Sequence, residues 1–358
     1  MATVAALARR SVEVTLLMPR GSDDPVLDAG DLRAFFGVEG EFRLVQRESG
    51  WAGEALVRTL FWLRQVFRDP EIGKADLIYS RIPAMLGMGA RSPLPFAVDH
   101  YRPWPDDLPV IRPLLRRTAR RRNCLGFVIH SAYAAGAYKR AGVPPEKLLV
   151  AHNGAETRLI GRPGDKGAAR QLLGLDPDRF TAIYAGRVNA QKGLDAVLTL
   201  ADLRPDALFL LVGSEGEGAV EVEARSRPNV RIVPWQEPAE LPHWLDAADV
   251  LLIPPSQAPL EQFRNCVLPL KLFAYLAAGR PILAPEAPDT AELIADGENA
   301  LLVPPGDAAA AAAALDRLRD PALAVRLGAG ARATSVELTW DKRAERIETF
   351  LKARLSAR

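Results

Sequence analysis

The sequence predicts an α/β protein made of two Rossmann-like βα domains facing each other across a cleft. Three observations predict this. Short apolar runs alternate with helical stretches along all 358 residues, the pattern of a parallel sheet covered on both faces. The alternation lapses at Gly161-Arg162-Pro163-Gly164-Asp165 and then restarts, as at an interdomain linker. The stretch Leu268–Gly306 repeats the unit once more as helix, turn, strand, helix and strand. Leu268, Leu272, Tyr275 and Leu276 recur at helical spacing, and Gly279 sits where a helix ends. Pro281-Ile282-Leu283-Ala284 is the short apolar run of a buried parallel strand.

The elements follow in order. Residues 4–10 have a helical pattern, and 13–18 a strand ending at Pro19. Asp- and Gly-rich loops lead to a strand at 42–46, and 54–67 is a strong helix with Leu56, Leu60, Leu63 and Phe67 on one face. Strands at 76–79, 96–98, 125–129 and 148–151 alternate with helices at 82–90, 108–122 and 132–141. Beyond the linker, strands are expected at 180–185, 207–212, 230–233, 250–253, 281–284 and 300–303. Helices are expected at 192–203, 239–247, 268–278, 290–295, 308–318, 323–333 and 345–357. The domains are placed at 1–158 and 159–338, followed by a C-terminal segment, 339–358.

Composition excludes several classes. Forty-eight per cent hydrophobic content over this length fills two cores. A formal net charge of +2 supplies no global field for nucleic acid. Cys124 and Cys266 form no CxxC pair, which argues against structural zinc or a disulfide framework and fits a reducing cytoplasm. No 18-residue apolar run is present, and no secretory leader is expected.

Four places could carry chemistry. In Tyr184-Ala185-Gly186-Arg187-Val188-Asn189-Ala190-Gln191-Lys192-Gly193, a strand delivers Gly186 and Arg187 into a loop that Lys192 closes at a helix start. Two cations beside a helix N-terminus suit a diphosphate, and the alternative is a solvated loop with two unpaired cations. Lys271 stands in the first turn of a helix, against the local dipole, and is better explained by an anion facing it. Val212-Gly213-Ser214-Glu215-Gly216-Glu217-Gly218 is a glycine-rich turn with no clean helix at the dinucleotide-motif offset, so an ordinary turn is the expectation. Asp99-His100, after the 96–98 strand, could orient a ligand or move a proton, or serve only as a structural hydrogen-bonding pair.

Gly186-Arg187…Lys192-Gly193, Pro269-Leu270-Lys271-Leu272-Phe273-x-Tyr275…Gly279-Arg280-Pro281 and Glu292-Leu293-Ile294-x-Asp296-Gly297-x-Asn299 resemble the family 4 retaining glycosyltransferases of GT-B fold. Ser131, Gly142-Val143-Pro144-Pro145-Glu146-Lys147 and Asn153-Gly154 extend the resemblance into the N-terminal half. It implies an NDP-sugar donor of UDP or GDP type as substrate, no cofactor, and an acceptor held by the N-terminal domain. It also implies a C-terminal helix that crosses back to that domain. No metal is implied, because Arg187 and Lys192 would neutralise the donor diphosphate. Gly186, Gly213, Leu270, Lys271, Leu272 and the residue at position 274 would line the donor, and His100 would hydrogen-bond a hydroxyl of its sugar. Arg187, Lys192 and His100 are thus the expected catalytic group.

Two departures stand out. The family's paired glutamates fall at Cys266 and Ala274, so the ribose-binding carboxylate is absent, with Glu261 and Glu286 as nearby substitutes. Losing such a carboxylate costs about 1.5–3 kcal/mol of donor binding. The family's first strand and Gly-Gly loop are also not found, which implies an incomplete first domain. The expected helix 108–122 carries six arginines. Arg112, Arg116, Arg117, Arg120 and Arg121 suit either the inner face of a membrane with a lipid-linked acceptor, or a solvated helix face. The competing functional class is a non-catalytic GT-B relative acting as a binding or scaffold subunit.

Overall fold

The computed structural model describes residues 1–357 apart from 11, 22–23, 49–67, 83–84, 90–91, 93, 162–163 and 267. The chain forms two compact units, Met1–His152 with Trp340–Arg358, and Asn153–Thr339. The first passage between them precedes the 158/159 boundary suggested by composition. Asn153–Ala155 already belongs to the second unit, where Ala155 N donates to Leu338 O at 2.8 Å.

In the first unit, β1 (Thr15–Arg20) and β2 (Arg43–Glu48) pair in parallel. A second parallel sheet runs in the order β3 (Ile78–Ser80), β4 (Phe96–His100), β5 (Cys124–Ile129), β6 (Leu148–Val150). Every residue of β4 and β5 is buried, as expected for near-continuous apolar strands covered on both faces. The C-terminal helix Trp340–Ser356 closes this unit: Ile347 and Leu351 pack with Ala97, Leu125 and Val128. Arg343 donates to Asp99 Oδ2 at 2.8 Å, and both side chains are 1% exposed. The first helix, Ala2–Arg9, is pinned to the same helix by Arg9–Asp341 and the following Arg10–Glu348 ion pair.

The second unit holds one six-stranded parallel sheet. Its strands are β7 (Thr181–Ala185), β8 (Leu208–Ser214), β9 (Val230–Pro234), β10 (Val250–Leu252), β11 (Ile282–Pro285) and β12 (Leu301–Val303). The order β12-β11-β10-β7-β8-β9 grows outward from β7 in one direction and from β10 in the other. The β7/β10 boundary is therefore the topological switch point, where loops at the strand carboxyl ends part and leave room for a ligand. Leu272, Phe273, Leu276 and Trp244 pack on one face of the sheet, and Leu194, Leu198, Leu211 and Leu315 on the other.

Several elements differ from expectation. The 54–67 helix lies outside the described residues. The Asp/Gly-rich loop contains a helix, Ala29–Phe36, because its Asp and Gly are end signals. Asp28 and Asp31 form a capping box and Gly37 takes the left-handed cap. The arginine-rich helix is shorter than 108–122. A single 3-10 turn, Pro109–Ile111, leads into Arg112–Ala119, and residues 120–122 lie beyond its end. The 290–295 segment is only a 3-10 turn, Thr290–Glu292.

Candidate functional site

At the switch point β7 is followed by Gly186, whose φ of +145° suits glycine. A Cβ there would lie 2.9 Å from Lys271 Nζ and 3.2 Å from the Tyr184 hydroxyl. Gly213, at φ +116°, lies against the same bend, and its Cβ would meet Gly186 O at 2.6 Å. Two glycines thus let the β7 and β8 ends approach each other and keep the Gly186 backbone open. Val188 N then bonds Gly213 O at 3.3 Å, and the Tyr184 hydroxyl donates to Arg187 O at 2.8 Å.

Three cations surround this bend. Arg187 is 70% exposed and meets Glu215 at 3.1 Å, an exposed pair weak enough to yield to a ligand. Lys192 is exposed at the end of the 3-10 turn Ala190–Lys192, and Gly193 (φ +69°) turns the chain into the helix Leu194–Leu203. A Cβ on Gly193 would collide with buried Ser256, which follows β10, so this turn sits directly against the β10 loop. Lys271, in the first turn of Leu270–Ala278, lies 3.3 Å above the Tyr184 ring centroid. Burial, reinforced by the neighbouring Lys192 charge, holds its ammonium well below the ordinary lysine range. Among the described residues Lys271 has a ring beneath it and another cation beside it, but no carboxylate paired with it. The arrangement can accept a compact polyanion.

The rest of the expected donor set divides. Leu270 is 63% exposed and Leu272 is fully buried in the core, so Leu272 fixes its helix from within and offers no contact to a ligand. Ala274 is partly buried against that core and presents no polar atom. Glu286 is exposed beyond β11, and Glu261 accepts from Gln257 at 2.8 Å. The glycine-rich turn at 213–218 does lead into a helix, Ala219–Ala224. Buried Glu221 accepts from Ser214 Oγ at 2.7 Å and Gly218 N at 3.1 Å, which makes this an internally satisfied turn. Tyr184, Ser256 and Glu215 are missed by sequence reasoning. Tyr184 reads only as one more apolar strand residue.

In the first unit His100 ends β4 and is 1% exposed. Its Nδ1 lies 2.7 Å from the Tyr138 hydroxyl, which donates to Arg102 O at 3.2 Å. With that proton committed, the tyrosine oxygen accepts from Nδ1–H, and Nε2 carries the lone pair. Nε2 is buried with no partner among the described residues. Burial pushes the His100 pKa down to about 4. The imidazole is neutral near pH 7 and suited to accept one hydroxyl proton in a hydrogen bond. Asp99 does not activate it: adjacent strand residues face opposite sides, and the Asp99 carboxylate points to Arg343.

The five arginines expected on one membrane-facing helix are not equivalent. Arg112 bonds Pro105 O and Asp106, Arg116 reaches Ala141 O, Arg117 and Arg120 are exposed, and Arg121 lies beyond the helix. Among the described residues no three His, Cys, Asp or Glu side chains converge as a metal site.

The pattern of Glycosyltransferase Family 4 matches residues 1–159, and that of Glycosyl transferases group 1 matches 179–320. The D-inositol 3-phosphate glycosyltransferase of Streptomyces bingchenggensis is 32% identical over 222 residues, 57% of this chain and 47% of the relative. That of Jonesia denitrificans is 28% identical over 249 residues, 64% and 55% of the two chains. The chain spans about half the length of these curated relatives. Among solved structures, sucrose-phosphate synthase from Thermosynechococcus elongatus superposes with a TM-score of 0.78 at 19% identity, over 99% of this chain and 92% of that one. Anabaena HepE in complex with UDP and glucose gives 0.69 at 17%, over 96% and 100%. Two parallel-sheet domains matched to GT-B structures, with family patterns over both halves, show that the chain belongs to the family 4, group 1 glycosyltransferases.

Proposed function

We propose that the chain transfers a sugar from a UDP- or GDP-type donor to a hydroxyl of a glycan, lipid-linked or small-molecule acceptor, with retention at the anomeric carbon. Arg187, Lys192 and Lys271 neutralise the diphosphate as its bond to the sugar breaks, a charge-stabilising role that makes a metal unnecessary. The backbones of Gly186 and Gly213 give the phosphates close approach, with Leu270 at the rim and Ala274 where the family has its ribose carboxylate. His100 Nε2 accepts a hydrogen bond from a donor-sugar hydroxyl. The acceptor oxygen attacks from the side the diphosphate leaves, and its proton passes to the departing phosphoryl oxygen.

The observation that carries this reading is Lys271, an ammonium partly buried against Tyr184 beside Lys192, whose charge an incoming diphosphate would stabilise. It is supported by the solved neighbour HepE, which holds UDP or UDP-glucose in its complexes. We also propose a cytoplasmic protein that touches a membrane through exposed Leu108, Val110 and Leu114 beside Arg117 and Arg120. No helix among the described residues is long and apolar enough to cross one.

The test is nucleotide release from UDP- and GDP-sugars in EDTA, with the product's anomeric configuration read by NMR. Turnover that persists in EDTA and falls about a hundredfold in Lys192→Ala is expected, the scale of losing one donor to a developing oxyanion. Turnover that requires a divalent ion, or survives Lys192→Ala, contradicts the mechanism. Ala274 favours the alternative of a non-catalytic binding subunit, which the same experiment identifies as nucleotide binding without release.

A further inference from the structure

At the amino end of β5, opposite the end where β4 presents His100, the first unit contains a pocket of about 240 Å³ with a cationic wall. The two ends of the sheet lie about 15–20 Å apart, from ~3.3 Å per strand residue. The helix Arg112–Ala119 stops one residue short of Arg120-Arg121-Arg122, and the turn that follows brings all three to the pocket. Lys147 and, from the C-terminal helix, Arg354 complete the wall. No acidic side chain lines it among the described residues, and the Cys124 thiol at its floor is pushed up to about 11 by burial, so it stays neutral.

Two features separate this cluster from an ordinary solvated basic patch. Lys147 is only 8% exposed. Its ammonium donates to Arg121 O at 2.7 Å and Cys124 O at 2.9 Å, which uses two of three donors. Arg354 Nε is buried without a partner, and among the described residues neither Arg120, Arg122 nor Arg354 forms an ion pair with a carboxylate. Elsewhere the chain pairs its arginines readily, as in Arg9–Asp341, Arg204–Asp316 and Arg227–Asp202. Gathering like charges around a buried lysine is unfavourable unless an anion joins them.

We propose that this pocket is a second anion site, which binds a phosphoryl group independently of the sugar-donor site. Forked guanidinium donors match phosphoryl oxygens, and the volume holds one such group with its solvent, at roughly 30 Å³ of liquid per water. The group is either a free phosphate or pyrophosphate, or the phosphomonoester headgroup of a lipid.

The experiment uses the full chain carrying Arg187→Ala and Lys192→Ala together, so that the diphosphate clamp in the other unit contributes little, and binding is compared only between proteins that share this background. Inorganic phosphate and pyrophosphate are titrated calorimetrically, and co-sedimentation is measured with phosphatidylcholine vesicles with and without phosphatidic acid. Each is repeated after Arg122→Gln and Arg354→Gln, with melting temperature as the check on folding. Binding that weakens at least about tenfold in the arginine variants supports the site, as expected for losing a charged hydrogen bond. Titratable binding of the free anions identifies a soluble ligand, and selective binding of the phosphatidic acid vesicles identifies a headgroup. Absence of both, or binding that survives both substitutions in folded protein, overturns the proposal.

Discussion

Single residues decide what the proposed diphosphate clamp can do. Lys271 is neutral more readily than an ordinary lysine because burial and Lys192 oppose its charge. The unfolded chain therefore binds the proton more tightly below the ordinary lysine pKa of about 10.4, and the folded state loses stability as the pH falls from there. Lys271→Met should raise the melting temperature at pH 7, by an amount that shrinks as the pH approaches that value. The same substitution should weaken UDP binding about tenfold or more, on the scale of a charged hydrogen bond. Calorimetry and melting curves on one sample check both. The glycines separate similarly. Gly213→Ala forces a Cβ into the Gly186 carbonyl at a positive φ and should cost about 1–3 kcal/mol of stability, read by urea unfolding. His100 has its pKa lowered from 6.5 to about 4 by burial, so stability should fall as the pH drops through that window. His100→Gln should flatten that loss in melting curves taken across it. These residues are visible in the sequence to different degrees. Arg187, Lys192 and Lys271 stand out by spacing and charge, whereas Tyr184 and Tyr138, which position Lys271 and His100, look like ordinary core aromatics.

At the scale of elements, the buried Arg343–Asp99 ion pair adds to the apolar packing that holds the C-terminal helix. Arg343 reaches Asp99 on β4 and also bonds the carbonyls of Ala151 and His152, tying the helix to the end of β6. Arg343→Met leaves the buried Asp99 carboxylate with Arg81, 3.8 Å away, as its remaining cation among the described residues, and should cost about 3–5 kcal/mol. Adding Asp99→Asn should recover a large part of that loss, and urea unfolding of the three variants checks the coupling. Strands such as β5 and β7 are plain in the sequence because burial on both faces demands unbroken apolar runs. Helix ends are not. The Asp28–Asp31 box reads as loop composition until the backbone is seen, and the arginine run continues past Ala119 with no residue that signals a stop. The partner of Asp99 is 244 residues away, and no local pattern can disclose it.

For the whole molecule, the alternation of strand and helix makes the α/β class legible, and the linker composition signals two domains. The return of the chain to its first unit at Trp340 follows from family resemblance instead, because a final amphipathic helix carries no mark of where it packs. Arg187, Lys192 and Lys271 all lie within Asn153–Thr339, a unit with its own complete six-stranded sheet and two packed faces. The central claim, a metal-free diphosphate clamp, therefore depends on this unit. It is tested most directly by calorimetric titration of the full chain with UDP and GDP in EDTA, repeated on Arg187→Ala and Lys192→Ala. Micromolar binding of one nucleotide, weakened about tenfold or more by each substitution, is the predicted result. No heat at millimolar nucleotide, or equal affinity in all three proteins, would contradict it.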